Sequence, residues 1–312
     1  MNKKFSPLLL LLAAAIWGFA FSAQKAAEAL MPFTLGMLRS AVAAVFLVFV
    51  IICIDKTSHT GRHFFIKGRI LDLTRTEIVG GIICGAVLAI ASFFQQAGIN
   101  AGTDAGKTSF ITALYVVLVP IYALFLKKRA KLHIWISVLI AALGFYLLCI
   151  TDSFTIVTSD LTVFACSLIF PIHILAIDKF SPSCDGVRMS FVQFLTATVL
   201  NAIFMLFSEP LPSGNAIISN IFPILFLGVG SSGIAYTLQI IGQRGTDPTA
   251  ASIILSLESV FGVIGSALLL GERMSQREYL GCITVFIAVI ISQINPSEII
   301  AKIKEKRYTG SR

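Results

Sequence analysis

The sequence predicts an all-α membrane protein: ten transmembrane helices arranged as two inverted five-helix repeats. Three observations lead there. Of 312 residues, 56% are hydrophobic and only 13% are charged. A soluble domain carries roughly 25% charged residues and about 45–50% apolar ones, so this chain has too little charge to cover a water-facing surface. The apolar residues also fall into blocks of roughly 18 or more, long enough to cross about 30 Å of hydrocarbon as a helix that satisfies its own backbone hydrogen bonds. Finally, two stretches half a chain apart repeat one another.

Ten blocks are visible, at 7–24, 34–54, 77–97, 107–126, 132–150, 160–178, 187–207, 216–239, 249–270 and 277–294. The first, behind Lys3 and Lys4, has the look of a secretory signal. Further spans follow it directly and the count requires it, so it is read as the first span. Most linkers are short, as between antiparallel neighbours. Threading ten spans from an inside N-terminus places most of the 24 Lys and Arg on one face, including Lys56, Arg62, Lys67, Arg69 and Arg75 in the 55–76 linker and Lys127-Lys128-Arg129-Ala130-Lys131. The positive-inside bias therefore predicts both termini in the cytoplasm and a multi-pass protein of the plasma (inner) membrane. The net charge of +8 belongs to these loops. No nucleic-acid motif accompanies it, and nucleic acid is not an expected partner.

The stretch beginning at Phe93 matches the one beginning at Tyr236. Gln96 aligns with Gln239, Gly102-Thr103-Asp104 with Gly245-Thr246-Asp247, Ser109 with Ser252, and Tyr115 with Glu258. Five spans is an odd number, so the second copy must enter the membrane from the opposite side. The repeats are assigned to 1–152 and 153–312, the second carrying a short basic tail. Inverted halves that exchange conformations open a central site alternately to each face, the geometry of many secondary carriers.

With these residues in view, the chain resembles the EamA-type transporters of the drug/metabolite transporter superfamily. The resemblance rests on Ile16-Trp17-Gly18, Leu38-Arg39, Leu257-Glu258-Ser259-Val260-Phe261 and Leu270-Gly271-Glu272-Arg273. Where the family commonly has Glu-Pro, this chain has Glu258-Ser259. Where it commonly repeats Gly-Glu-Arg, this chain has Lys127-Lys128-Arg129. The resemblance implies a carrier, often an exporter, of amino acids or related metabolites, with a central cavity lined by both halves. Nucleotide-sugar or organophosphate exchange within the same superfamily is the alternative, and an intramembrane enzyme is a more distant one. No catalytic residues, metal ligands or cofactors are expected. Lipid and a small-molecule substrate are the expected partners, with the chain a monomer or homodimer.

Candidate substrate-binding residues follow from polarity within spans. Glu258 lies mid-span, where an ionised carboxylate costs about 2.5–3.5 kcal/mol on insertion scales. It flanks a stripe of Ser252, Ser256, Ser259, Gly262 and Ser266. A cavity wall for an amine, a proton or a cation is one reading, and small-residue packing around a paired Glu is the other. Tyr115 shares its repeat position, and Ser109, Thr112 and Tyr115 share a face of the fourth span. Gln95, with Gln96, closes the third span, and Tyr236 and Gln239 are their counterparts in the eighth. Amides suit carboxylate and amino groups alike, and they also glue helices. His173 follows Pro171 and could relay protons or simply pack. Coupling to protons through Glu258 or His173, or uncoupled exchange, both remain open. By resemblance Trp17 lines the cavity. Arg39, near a span end, could snorkel, pair with an acid or attract an anion, and the structural role is preferred.

Other motifs carry less. Gly106-Lys107-Thr108 lacks the glycine of a phosphate loop, since Ala101 stands there, and ATP hydrolysis is unsupported. His59 and His63 lack the glutamate of a zinc protease. The six cysteines form no C-x-x-C pair and read as apolar packing residues. Gly81-x-x-x-Gly85 and Gly98-x-x-x-Gly102 allow close helix approach, within the chain or between two chains.

Overall fold

Helices occupy the ten apolar blocks. The computed structural model describes residues 5–57, 65–66, 69–70, 72–128, 130–149, 157–270 and 275–293. The spans are Ser6–Ala26, Pro32–Thr57, Arg75–Asn100, Ala105–Phe125, Leu132–Cys149, Thr158–Phe180, Gly186–Ser208, Ile221–Gln243, a ninth formed by Pro248–Leu255 and Glu258–Leu270, and Gln276–Gln293. Among the described residues eight helices are long and apolar enough to cross a bilayer, and Leu132–Leu147 is a shorter apolar helix. The succession of apolar blocks is thus realised as an all-α membrane fold. Large side chains such as Phe49, Leu139, Leu206, Phe207 and Ile290 are exposed on its outside, where acyl chains rather than water suit them. His59, His63, Arg129, Gly271-Glu272-Arg273 and both basic chain ends lie outside the described residues.

Local chemistry explains the ends of several spans. Thr74 and Glu77 form a reciprocal capping box at the start of the third, with Thr74 N donating to Glu77 Oε2 at 2.7 Å and Glu77 N to Thr74 Oγ1 at 3.2 Å. The Asp185 carboxylate accepts from Val187 N and Arg188 N at the start of the seventh, both at 3.0 Å. Asp247 does the same for Thr249 N and Ala250 N at the ninth. Each carboxylate satisfies amides that have no partner inside the helix.

Three departures from regular α-helix were not expected. The fourth span breaks at Leu114 between Ala105–Ala113 and Tyr115–Phe125. The ninth breaks at Ser256 and Leu257 before Glu258. At both breaks the ladder tightens to three-residue bonds: Leu114 N to Ile111 O, Leu257 N to Ile254 O and Ser259 N to Ser256 O. Within the eighth span Phe226–Tyr236 is π-helical, and such wide turns commonly mark functional positions. That span begins at Ile221 rather than 216, because Gly214–Ser219 is a separate short helix capped by Ser213. The helix runs uninterrupted through Pro171. In the long second linker, Phe65–Ile66 pairs antiparallel with Arg69–Ile70.

The interior is made where spans of the two halves meet. The second packs on the seventh, the third on the sixth and seventh, the first on the eighth and ninth, and the fifth on the tenth. Close approach needs glycine. A Cβ on Gly85 would lie 2.4 Å from Gln193 O, and one on Gly18 would lie 2.5 Å from Phe261 Cβ. Gly81 and Gly98 likewise face Val192 and Val163, so these glycines are used in packing within the chain. The second and seventh spans are tied at both ends. At one end Arg188 Nη2 donates to Asp55 Oδ1 at 2.7 Å, with both side chains buried. At the other, Glu209 accepts from Phe33 N at 2.7 Å and from Thr34 N at 2.8 Å. Cys53, Cys84, Cys166, Cys184 and Cys282 are free thiols.

Candidate functional site

A polar cavity lies between the halves, walled by spans one to four on one side and six, eight and nine on the other. It is narrow, with a cavity volume of about 40 Å³. Ligand pockets are generally some 300–1,000 Å³, so the walls of this conformation close around the site.

Of the eight residues singled out in the sequence, Trp17, Gln95, Tyr115, His173, Tyr236, Gln239 and Glu258 line this cavity. Ser259 does not. Its hydroxyl donates to Ser109 O at 3.1 Å and is wholly buried, joining the ninth span to the fourth. The serine stripe behaves the same way: Ser252 Oγ donates to Thr249 O and Ser256 Oγ to Ile253 O. These hydroxyls satisfy helix carbonyls, as small polar residues do in membrane helices.

The helix breaks place the two central groups. Tyr115 and Glu258 are each the first residue of the half-helix after a break. They face one another closely enough to interact. Tyr115 Oη and Glu258 Oε1 are both buried and without a hydrogen-bond partner in the protein. Gln239 Oε1 and His173 Nδ1 are in the same condition. A buried polar atom left unpaired is costly, and four of them around one cavity make it the candidate site for a polar ligand.

The surrounding walls are held rigidly. Gln24 Nε2 donates to both Gln95 Oε1 at 3.0 Å and Gln96 Oε1 at 3.2 Å, and Gln95 Nε2 donates to Thr112 Oγ1 at 3.1 Å. This amide chain links spans one, three and four. His173 Nε2 pairs with Gln193 Oε1 at 3.0 Å. Trp17 Nε1 donates to Ser231 O at 3.1 Å, and its ring lies 4.6 Å from that of Tyr236. Phe21 and Phe170 complete an aromatic lining.

Arg39 is the cavity residue whose surroundings differ most from those of a residue at a span end. It lies in the cavity wall rather than at a water interface. Its Nε donates to Ser232 Oγ at 3.1 Å and its Nη2 to Ser231 Oγ at 2.9 Å, inside the π-helical stretch. Gln24, Thr112 and Phe170 also line the cavity without having been selected as site residues. Among the described residues no cluster of His, Cys, Asp and Glu could hold a metal.

Comparison with known proteins agrees with this architecture. A transporter described as uncharacterized, from Archaeoglobus fulgidus, is 28% identical over 293 residues, covering 93% of this chain and 86% of that protein. A crystal structure covering 93% of this chain and 96% of its own matches with a TM-score of 0.74 at 17% identity, a likeness of fold alone. The family model of the EamA-like transporters matches residues 4–150 and again 157–293. The chain belongs to the EamA-like transporter family.

Proposed function

We propose that this membrane transporter carries a small amphoteric metabolite, an amino acid or a close relative, by alternating access between two inverted halves. The observation that carries the substrate reading is the charge inventory of the cavity: one guanidinium, one carboxyl group and one imidazole, with amides, hydroxyls, aromatic rings and a few aliphatic side chains around them. A nucleotide sugar or organophosphate brings two or more negative charges and calls for several cations, whereas this wall supplies Arg39 alone. Export from the cytoplasm across the plasma membrane is the direction the family resemblance favours.

Two features support alternation. The helix breaks fall at matching positions of the two halves, Leu114 in one and Leu257 in the other, and half-helix termini at a midplane site are a recurrent device of carriers with inverted repeats. The second and seventh spans are fastened at each end by a carboxylate, Asp55 at one and Glu209 at the other. Release of one fastening while the other holds would open the cavity to a single face. Glu258 is the group best placed to exchange a proton, being buried, central and unsatisfied at Oε1.

Counterflow in liposomes tests this. Purified protein loaded with an unlabelled amino acid mixture is expected to accumulate labelled amino acid without nucleotide, and Glu258→Gln to weaken uptake far more than folding. Uptake and its pH dependence both persisting in Glu258→Gln would remove Glu258 from the mechanism. Absence of any amino acid flux, with flux of a phosphorylated sugar instead, would replace the substrate reading.

A further inference from the structure

We infer that Arg39 is the carboxylate receptor of the transported solute and that Glu258 receives its ammonium group, so that the cavity selects small zwitterions by charge at both ends. This rests on the transport reading above and deepens it. A position near the span end favours a structural arginine, with attraction of an anion as the alternative, and the bonding of Arg39 supports that alternative.

A guanidinium buried to 8% exposure in a membrane protein is expected to sit against a carboxylate. Arg39 forms no ion pair among the described residues. Its two hydrogen bonds to protein go to neutral serine hydroxyls, from Nε and Nη2. Nη1 makes none to the protein, leaving part of the five-donor fork unused. Arg188 in the same bundle shows the ordinary solution, a buried pair with Asp55 at 2.7 Å. Arg39 therefore has its orientation fixed by Ser231 and Ser232 and its charge uncompensated. A planar fork held in this way is suited to a carboxylate.

The complementary end is Glu258. Its side chain is 5% exposed, Oε1 has no partner, and no Lys, Arg or His ion pair neutralises it among the described residues. A buried guanidinium and a buried carboxyl group that both lack an ion-pair partner among the described residues, on walls contributed by different halves, are complemented by a solute carrying both signs. Gln239 Oε1, also unpartnered, is a second acceptor for an ammonium. The Trp17 and Tyr236 rings, 4.6 Å apart, offer the side chain an apolar surface. A solute bridging the two walls would also explain coupling between binding and movement, since it is held by spans two and nine together.

The test uses purified full-length protein in detergent and thermal stabilisation by L-alanine, L-leucine, L-phenylalanine and L-threonine. Each is compared with its methyl ester, which lacks the anion, and its N-acetyl derivative, which lacks the cation. At least one free amino acid is expected to stabilise the protein at millimolar concentration, with ester and N-acetyl forms binding about 30-fold more weakly or worse. Arg39→Gln is expected to bind the acid and its ester equally, while still preferring the acid to its N-acetyl form. Glu258→Gln is expected to lose the second preference and keep the first. A purely structural role for either residue would weaken all ligands together and leave the preferences intact, overturning the assignment. Esters stabilising the unmodified protein as well as acids do would overturn it as well, and so would no amino acid stabilising it at all. In that last case, counterflow of another solute would leave the protein a transporter and remove only the zwitterion.

Discussion

Tyr115 and Glu258 occupy one and the same position in two broken helices. They are 143 residues apart in sequence, each opens the second half of its span, and their side chains meet across the central cavity. In the sequence the pair is visible as an alignment of unlike residues. In the fold the two are neighbours, because spans four and nine cross at the site where both helices lose their regular ladder. The break frees the side chain at the start of each new half-helix to enter the cavity rather than the packed interface.

Tyr115→Phe removes a hydroxyl that has no protein partner. Fold stability is expected to change by less than about 1 kcal/mol, since no formed bond is lost. Transport is expected to fall several-fold, because the hydroxyl stands in the cavity wall beside Glu258, where a solute can reach it. Thermal unfolding and counterflow rates measured on the same preparation separate the two effects.

Ser259→Ala should do the reverse. It deletes the bond to Ser109 O and leaves that interhelical contact dry, which costs about 1 kcal/mol. The ratio of uptake rates for two competing amino acids is expected to stay as it was. A changed ratio with unchanged stability would return Ser259 to the cavity wall.

Gly85→Val is expected to block folding of the bundle. A Cβ at this position already lies 2.4 Å from a backbone oxygen of the seventh span, and overpacking of this kind costs about 1–3 kcal/mol or more. The yield of monodisperse protein in detergent is the readout. Gly106→Ala, where nothing lies within 4 Å, is the matched control and is expected to express normally.

Arg188→Ala leaves the Asp55 carboxylate buried without its cation, a loss of about 3–5 kcal/mol where such pairs are broken. Joint replacement by Asp55→Asn and Arg188→Gln should recover much of the stability. It should also ease opening at that end of the bundle, read as faster exposure of the cavity from that face. Equal stability of the single and double variants would show the pair to be inessential.

The spans were legible because lipid imposes one rule everywhere: a long uncharged block must be a helix. Glu258, Tyr115 and Gln239 were legible because polar side chains inside such blocks are expensive and therefore conspicuous. The helix breaks at Leu114 and at Ser256-Leu257 were not, since apolar composition continues through them and nothing local demands a change of ladder. The π-helical turn was hidden for the same reason. The place of Arg39 in the cavity wall was not legible, because a position near a span end admits snorkelling and the serines that hold it are 192 and 193 residues away. Gln24 was passed over because its partners, Gln95 and Gln96, come from another helix. Contacts between halves are set by packing, and packing has no signature in a single span.

The most direct measurement of the central claim is two-sided accessibility of the cavity. Ala20 lines it, and Ala20→Cys, in a chain whose six native cysteines are replaced by alanine, can be labelled with a membrane-impermeant maleimide in right-side-out and in inverted vesicles. Alternating access predicts labelling from both faces, slowed on both by a transported amino acid. Labelling from one face only, unaffected by any solute, would contradict it.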